Sequence, residues 1–198
     1  MCTNLLWTDH INKVYRKANR SLALLRRASP VMSAQALATV YKSYIRSKME
    51  YCCPMWMGAG SVALAALDRI QVRAIRVIGH TEGVKLQSLA HRRGVAALAV
   101  MHRLMHLRAP EPLHRFIPRA APTRHHSSTR SIAPALERPN VRLPARWLRS
   151  CLPLLTFAWN RVPAATRAEP NPQVFKETVN VSMDLTFLNN FVPSRSRA

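Results

Sequence analysis

The 198-residue chain carries 30 Lys and Arg against 9 Asp and Glu, a formal charge of +21 with a pI near 11.5, so it repels itself unless a polyanion neutralises it. An apolar fraction of 48% is enough for a buried core, while 5 glycines against 14 prolines disfavour a sheet of tight hairpins. Four cysteines, two of them adjacent, make no secreted disulfide framework, which leaves a mainly α protein of a reducing compartment as the expected class.

Six of the cations are lysines, at positions 13, 17, 42, 48, 85 and 176, and 24 are arginines, whose planar fork pairs phosphate oxygens bidentately and stacks on bases. A GC-rich gene also inflates Ala, Arg and Pro without any binding role; the helical spacing of the arginines favours binding. The longest uncharged stretch, Tyr51 to Leu67, is interrupted by Pro54, Gly58 and Gly60, so no membrane span is expected. The N-terminus is amphipathic, rich in Arg and Ser and poor in acid, as a mitochondrial transit peptide is. The same pattern continues in later segments, and a nuclear or cytoplasmic location is expected, not a secreted or mitochondrial one.

In chain order, Thr8 is placed to cap a first helix in which Ile11, Val14, Ala18, Leu22 and Leu25 recur every three or four residues, with Pro30 ending the run. Lys13, Arg16, Lys17, Arg20 and Arg27 lie mostly around its other side. Ser33 is placed to cap a second helix whose Leu37, Val40, Tyr41, Tyr44, Ile45 and Met49 form a buried stripe, terminated by Pro54. After Met57 to Gly60, Ser61 opens a third helix with Leu64, Leu67, Ile70, Ala74, Ile75 and Ile78 inward, Gly79 as its stop, and Arg69, Arg73 and Arg76 as a ladder on the far face.

A fourth helix is expected from about Leu86 to Leu107, with Leu89, Val95, Leu98, Met101 and Met105 inward and Gly94 weakening its middle. Residues 1–108 thus read as a small helical bundle. Prolines at 110, 112, 118, 122, 134, 139 and 144 make 109–146 an extended, cationic Pro/Arg-rich linker. Residues 147–198 read as a short helical C-terminal segment: Trp147 to Pro163 is too apolar for a free tail, and one helix starts after Pro172 with Phe175, Val179 and Leu185 as its apolar contacts.

Two-metal nucleotidyl transfer needs carboxylates converging on a pair of ions. The nine acids, Asp9, Glu50, Asp68, Glu82, Glu111, Glu137, Glu169, Glu177 and Asp184, are dispersed, with no Asp-Asp pair. His102 and His106 have the i, i+4 spacing of two ligands on one helical face, but nothing completes a tetrahedron, and two partly exposed histidines on a basic helix is the favoured reading. Cys52 and Cys53 read as small buried thiols rather than nucleophiles. No phosphate loop or nucleophile elbow is present, so no catalytic residue, resident cofactor or small-molecule substrate is expected. What remains is phosphate binding by Lys13, Arg16, Lys17 and Arg20, by Arg69, Arg73 and Arg76, and by Arg92 and Arg93 beside His91, each contact releasing counterions without reading sequence.

A resemblance runs along the same positions. Trp7-Thr8-Asp9-His10-Ile11, Leu22-Ala23-Leu24-Leu25-Arg26-Arg27, Val40 to Ser47, and Glu50-Tyr51-Cys52 ahead of Trp56 are followed by Leu67-Asp68-Arg69-Ile70-Gln71, Arg73-Ala74, Arg76 to Gly79, Ser88-Leu89 and His91-Arg92-Arg93. Thr129-Arg130, Trp159-Asn160 before Pro163, and Phe175-Lys176 with Asn180 complete the order. Together they resemble the end of a jockey-like non-LTR retrotransposon reverse transcriptase, an RNA-directed DNA polymerase. The resemblance implies that Trp7 to about Ile78 is similar to the helical thumb, which grips the template and primer, and that the rest is a post-thumb region. The aspartates that hold Mg belong to the family's palm, which precedes this point. The family usually has an aromatic residue near Cys151, a point of departure here, and the pattern begins abruptly at Met1, as in a truncated element copy or a gene-model fragment.

The functional expectation is a non-catalytic fragment that binds template-primer, as RNA or RNA/DNA duplex, through backbone phosphates. A stand-alone basic RNA-binding or ribonucleoprotein component, or an inert remnant of a mobile element, are the alternatives.

Overall fold

A computed structural model of the chain describes residues 7–79, 86–106, 117–120, 134–137, 145–148, 150–186 and 188. The protein is mainly helical. The helices are α1 (Thr8–Ala28), α2 (Ala34–Val40), α3 (Ser47–Glu50), α4 (Cys53–Trp56), α5 (Ser61–Ile78), α6 (Leu89–His106), α7 (Ala145–Leu148), α8 (Cys151–Arg161), α9 (Ala164–Arg167) and α10 (Pro172–Ser182). A short 3₁₀ turn, Ser29–Val31, follows α1, and a π-helical turn, Tyr41–Arg46, joins α2 to α3. Two compact units are present, the first within Met1–Cys53 and Ala59–Ala90, the second within Pro54–Gly58 and His91–Ala198.

In the first unit, α1 packs chiefly against α5. Ile11, Ala18, Leu22 and Leu25 of α1 and Leu64, Leu67, Ile70, Ala74 and Ile78 of α5 are buried, as their spacing predicts. Two caps differ from expectation. Trp7, in the left-handed region at φ 54°, and Gly60, rather than Thr8 and Ser61, hold the N-cap positions of α1 and α5, and neither Trp7 nor Gly60 supplies a side-chain cap. Ser33 does cap α2, its hydroxyl accepting from the Ala36 amide at 3.3 Å. Gly79, at φ 81° and ψ 174°, ends α5 in a backbone region that residues with a Cβ avoid.

The second helix departs most from a simple amphipathic reading. Across its π turn one revolution takes more than four residues, so Tyr41, Ile45 and Met49, four apart, all point inward while Tyr44 rotates out. Hydroxyls compete for the backbone here: Ser43 donates to the Thr39 carbonyl at 2.9 Å and Ser47 to the Ser43 carbonyl at 2.6 Å. The helix then stops at Tyr51, before Pro54, which instead occupies the first turn of α4, where its missing N–H costs nothing. Cys53 is buried, whereas Cys52, expected inside, is exposed because φ 54° turns it outward. Tyr41 and Gln71 form a buried polar chain: the phenol donates to the Gln71 side-chain oxygen at 2.9 Å, and the Gln71 amide donates to the Gln87 carbonyl at 2.9 Å.

The second unit has a core of Met57, Val95, Leu98, Met101, Leu136, Leu154, Leu155, Ala158, Trp159, Val162, Phe175, Val179, Leu185 and Leu188. The partition falls inside α6, after Ala90, where the sequence reading set the end of the bundle at 108. Beyond residue 147 the chain forms α8, α9 and α10 rather than one helix. Asn171 caps α10, its side-chain oxygen accepting from the Gln173 and Val174 amides at 2.9 and 3.4 Å.

Most of the expected linker, 109–146, lies outside the described residues. Its described pieces are tied down. Ala120 and Leu136 form an isolated antiparallel bridge, and the Asn160 side chain both accepts from the Leu136 amide at 2.8 Å and donates to the Leu136 carbonyl at 2.7 Å. The Trp159 indole donates to the Pro134 carbonyl at 3.1 Å. An amide side chain, which accepts and donates at once, thus stands in for a neighbouring strand.

Candidate nucleic-acid interface

Lys13, Arg16, Lys17 and Arg20 recur at three- and four-residue steps on α1, directly opposite the buried Ile11, Ala18 and Leu22, and all four are exposed. At 1.5 Å per residue the row spans about 10 Å, and the exposed Arg27 continues it toward the helix C-terminus, where cations also favour the helix dipole. On α5, Arg69 and Arg76 are exposed; Arg73 is half-buried and its Nη2 donates to the Tyr15 hydroxyl of α1 at 3.5 Å. Lys13, Arg16, Lys17 and Arg20 with Arg69, Arg73 and Arg76, seven side chains, share the first unit.

Arg92 and Arg93 do not join them. Both lie in the second unit, where Arg92 is half-buried and Arg93 is fully buried, so Arg93 has no surface from which to meet a phosphate. The sequence alone counts it among the phosphate-binding side chains. No protein-family model, curated protein or solved structure matches this chain. The site therefore rests on its own chemistry.

That chemistry is electrostatic. Lys and Arg side chains standing off one helical face reach phosphate oxygens while their stems lie along the helix, and nothing in such a row reads a base. Among the described residues no three His, Cys, Asp or Glu side chains converge as a metal site, and no described helix is long and apolar enough to cross a membrane. Glu50 is engaged by Arg46 at 3.7 Å, one turn away on the same helix.

The histidine pair is not the partly exposed pair the spacing suggested. His102 is fully buried and stacks on His106 and on Phe175, each with centroids 4.3 Å apart. Its Nε2 donates to the Glu169 carbonyl at 2.6 Å, and His106 Nε2 to the Arg167 carbonyl at 2.8 Å. Two imidazoles on α6 therefore satisfy carbonyls at and just beyond the end of α9, a capping role. No sequence signal links His102 to a carbonyl so far along the chain; a polar residue at an inward α6 position was the only available clue.

His102 Nδ1 is buried without a hydrogen-bond partner. Protonation would place an N–H there with no acceptor, and burial, with a smaller contribution from neighbouring His106, pulls the pKa below its ordinary 6.5 against the opposing pull of the Glu169 carbonyl and carboxylate. Because the folded state disfavours the proton, this contribution to stability is complete above 6.5 and falls as pH drops below it. Urea midpoints of the second unit's transition are expected to be lower at acid pH than at neutral pH. His102→Gln, which keeps a donor and does not titrate, should remove much of that difference; an unchanged pH dependence would contradict the assignment.

Proposed function

We propose that the chain binds nucleic acid through phosphate contacts along the outer faces of α1 and α5, as a thumb-like helical part of a jockey-like non-LTR retrotransposon reverse transcriptase would hold its template and primer. The observation that carries the reading is the row Lys13, Arg16, Lys17 and Arg20, four exposed cations on one face of a helix whose opposite face is core, in a chain of charge +21. Arg69, Arg73 and Arg76 supply a second row in the same unit. The order of family-like strings from Trp7 to Asn180 supports the polymerase relationship. Arg92 and Arg93, which lie in the second unit, are left out of the interface. The role is non-catalytic, needs no resident cofactor, and belongs to a nuclear or cytoplasmic compartment.

Binding should be indifferent to sequence, since phosphate contacts position without specifying. Neutralising Lys13, Arg16, Lys17 and Arg20 to Ala together is expected to weaken affinity for an RNA/DNA hybrid by roughly tenfold or more, uniformly across hybrids of different sequence. Lys176→Ala, an exposed cation of the second unit, should leave it nearly unchanged. Anisotropy titrations read both results; equal affinities for wild type and the α1 variant would overturn the assignment of the row. Purified chain is expected not to extend a primed template with any divalent metal.

A further inference from the structure

Phosphate contacts need cations alone, yet the first unit also exposes two aromatic rings, seven residues apart along the chain. Tyr44, rotated off the core by the π turn, is 54% exposed, and Tyr51, at the end of α3, is 78% exposed. The Lys48 ammonium sits 3.3 Å from the centroid of the Tyr44 ring and also donates to the Ser21 hydroxyl of α1 at 3.2 Å. Lys17 and Arg20 precede Ser21 on α1 by four residues and by one, and the Ser21 hydroxyl donates to the Lys17 carbonyl at 3.1 Å. Ser21 and Tyr15, the α1 partners of Lys48 and Arg73, stand six residues apart, roughly 120° around the helix, so the Tyr44 side and the α5 side flank α1 separately.

A π turn within a helix is an uncommon device that recurs at functional sites. Here its result is specific: it keeps Tyr41, Ile45 and Met49 in the core and delivers Tyr44 to the surface against the Lys48 ammonium. A phenol ring carrying an ammonium on one face and more than half exposed suits a flat, polarisable partner bonded to phosphate. Nucleobases are such partners, and only unpaired ones offer their faces. We propose that Tyr44, Lys48 and Tyr51 form a stacking platform for unpaired bases of a single-stranded nucleic acid whose phosphates run along Lys17 and Arg20. The platform rests on the phosphate-binding reading and goes beyond it, assigning this side of α1 to a single-stranded stretch.

The test compares oligothymidylate with a tetrahydrofuran abasic strand of equal length, both labelled, binding to the full chain. Wild type should prefer the base-bearing strand by about 5- to 150-fold, the range for one stacked base. Tyr44→Ala with Tyr51→Ala should erase the preference without changing the abasic affinity or the affinity for a duplex, and Tyr44→Phe with Tyr51→Phe should retain it. Equal wild-type affinities for the two strands, or a preference that survives the alanine pair, would overturn the platform while duplex binding still supports the phosphate rows. Failure to bind either strand or the duplex would overturn both.

Discussion

Replacing Trp159 with alanine is expected to remove about 3–5 kcal/mol from the stability of the second unit, the usual cost of deleting a large buried aromatic. Trp159 is fully buried in a core that includes Phe175, 5.9 Å away between ring centroids, and its indole N–H satisfies the Pro134 carbonyl. A loss of that size is a large fraction of the roughly 5–15 kcal/mol that holds a domain together. Trp159→Phe should cost less, because it keeps an aromatic ring and gives up only part of the volume and the hydrogen bond. Asn160→Ala tests the neighbouring clamp: the amide and carbonyl of buried Leu136 lose their partners, at about 1–3 kcal/mol for each group left unsatisfied. Hydrogen exchange at the Leu136 amide should rise sharply in the Asn160 variant. Unchanged exchange would show that the clamp does not hold the segment.

The second large effect runs against helix propensity. Gly94 lies inside α6, where alanine is ordinarily better by up to about 1 kcal/mol. A Cβ there would stand 2.5 Å from Leu185 Cβ and 3.1 Å from its Cδ1, too close for backbone and side chain to share the space without moving apart. Overpacking of this kind costs about 1–3 kcal/mol, so Gly94→Ala should destabilise the second unit despite the better helix former. In a Leu185→Gly background the obstacle is gone and the same substitution should be neutral or stabilising. Chemical denaturation of the four proteins in this cycle measures the coupling. A stabilising Gly94→Ala in the native background would contradict the close approach.

The positions that sequence reading placed correctly share one property: their environment is set by residues one helical turn away. The stripe of Ile11, Ala18, Leu22 and Leu25, and its counterpart on α5, follow from a single unbroken period. Tyr44 was misplaced because a period of 3.6 was carried across a π turn, and that turn depends on how hydroxyls and core contacts share the backbone, which spacing does not express. Gly94 was legible as a weakness in α6 but not as a point of close approach, since Leu185 is distant in sequence. His102, Arg93 and the Asn160 clamp were missed for the same reason. Each depends on a partner or a core built elsewhere in the chain, and burial of a charged or polar side chain is the last thing composition predicts. The candidate interface was legible where it lies on a helix with one clear core face, on α1 and α5, and failed at α6.

The central claim is that α1 and α5 present phosphate-binding rows, and the salt dependence of binding tests it most directly. Affinity of the full chain for a B-like duplex, measured across stepped salt concentrations, should fall linearly on a log–log plot, by about 0.9 per engaged phosphate and so up to about 6 if all seven side chains of the two rows take part. Neutralising all seven should bring the slope most of the way to zero. A wild-type slope near zero, or a steep slope that survives their removal, would contradict the account.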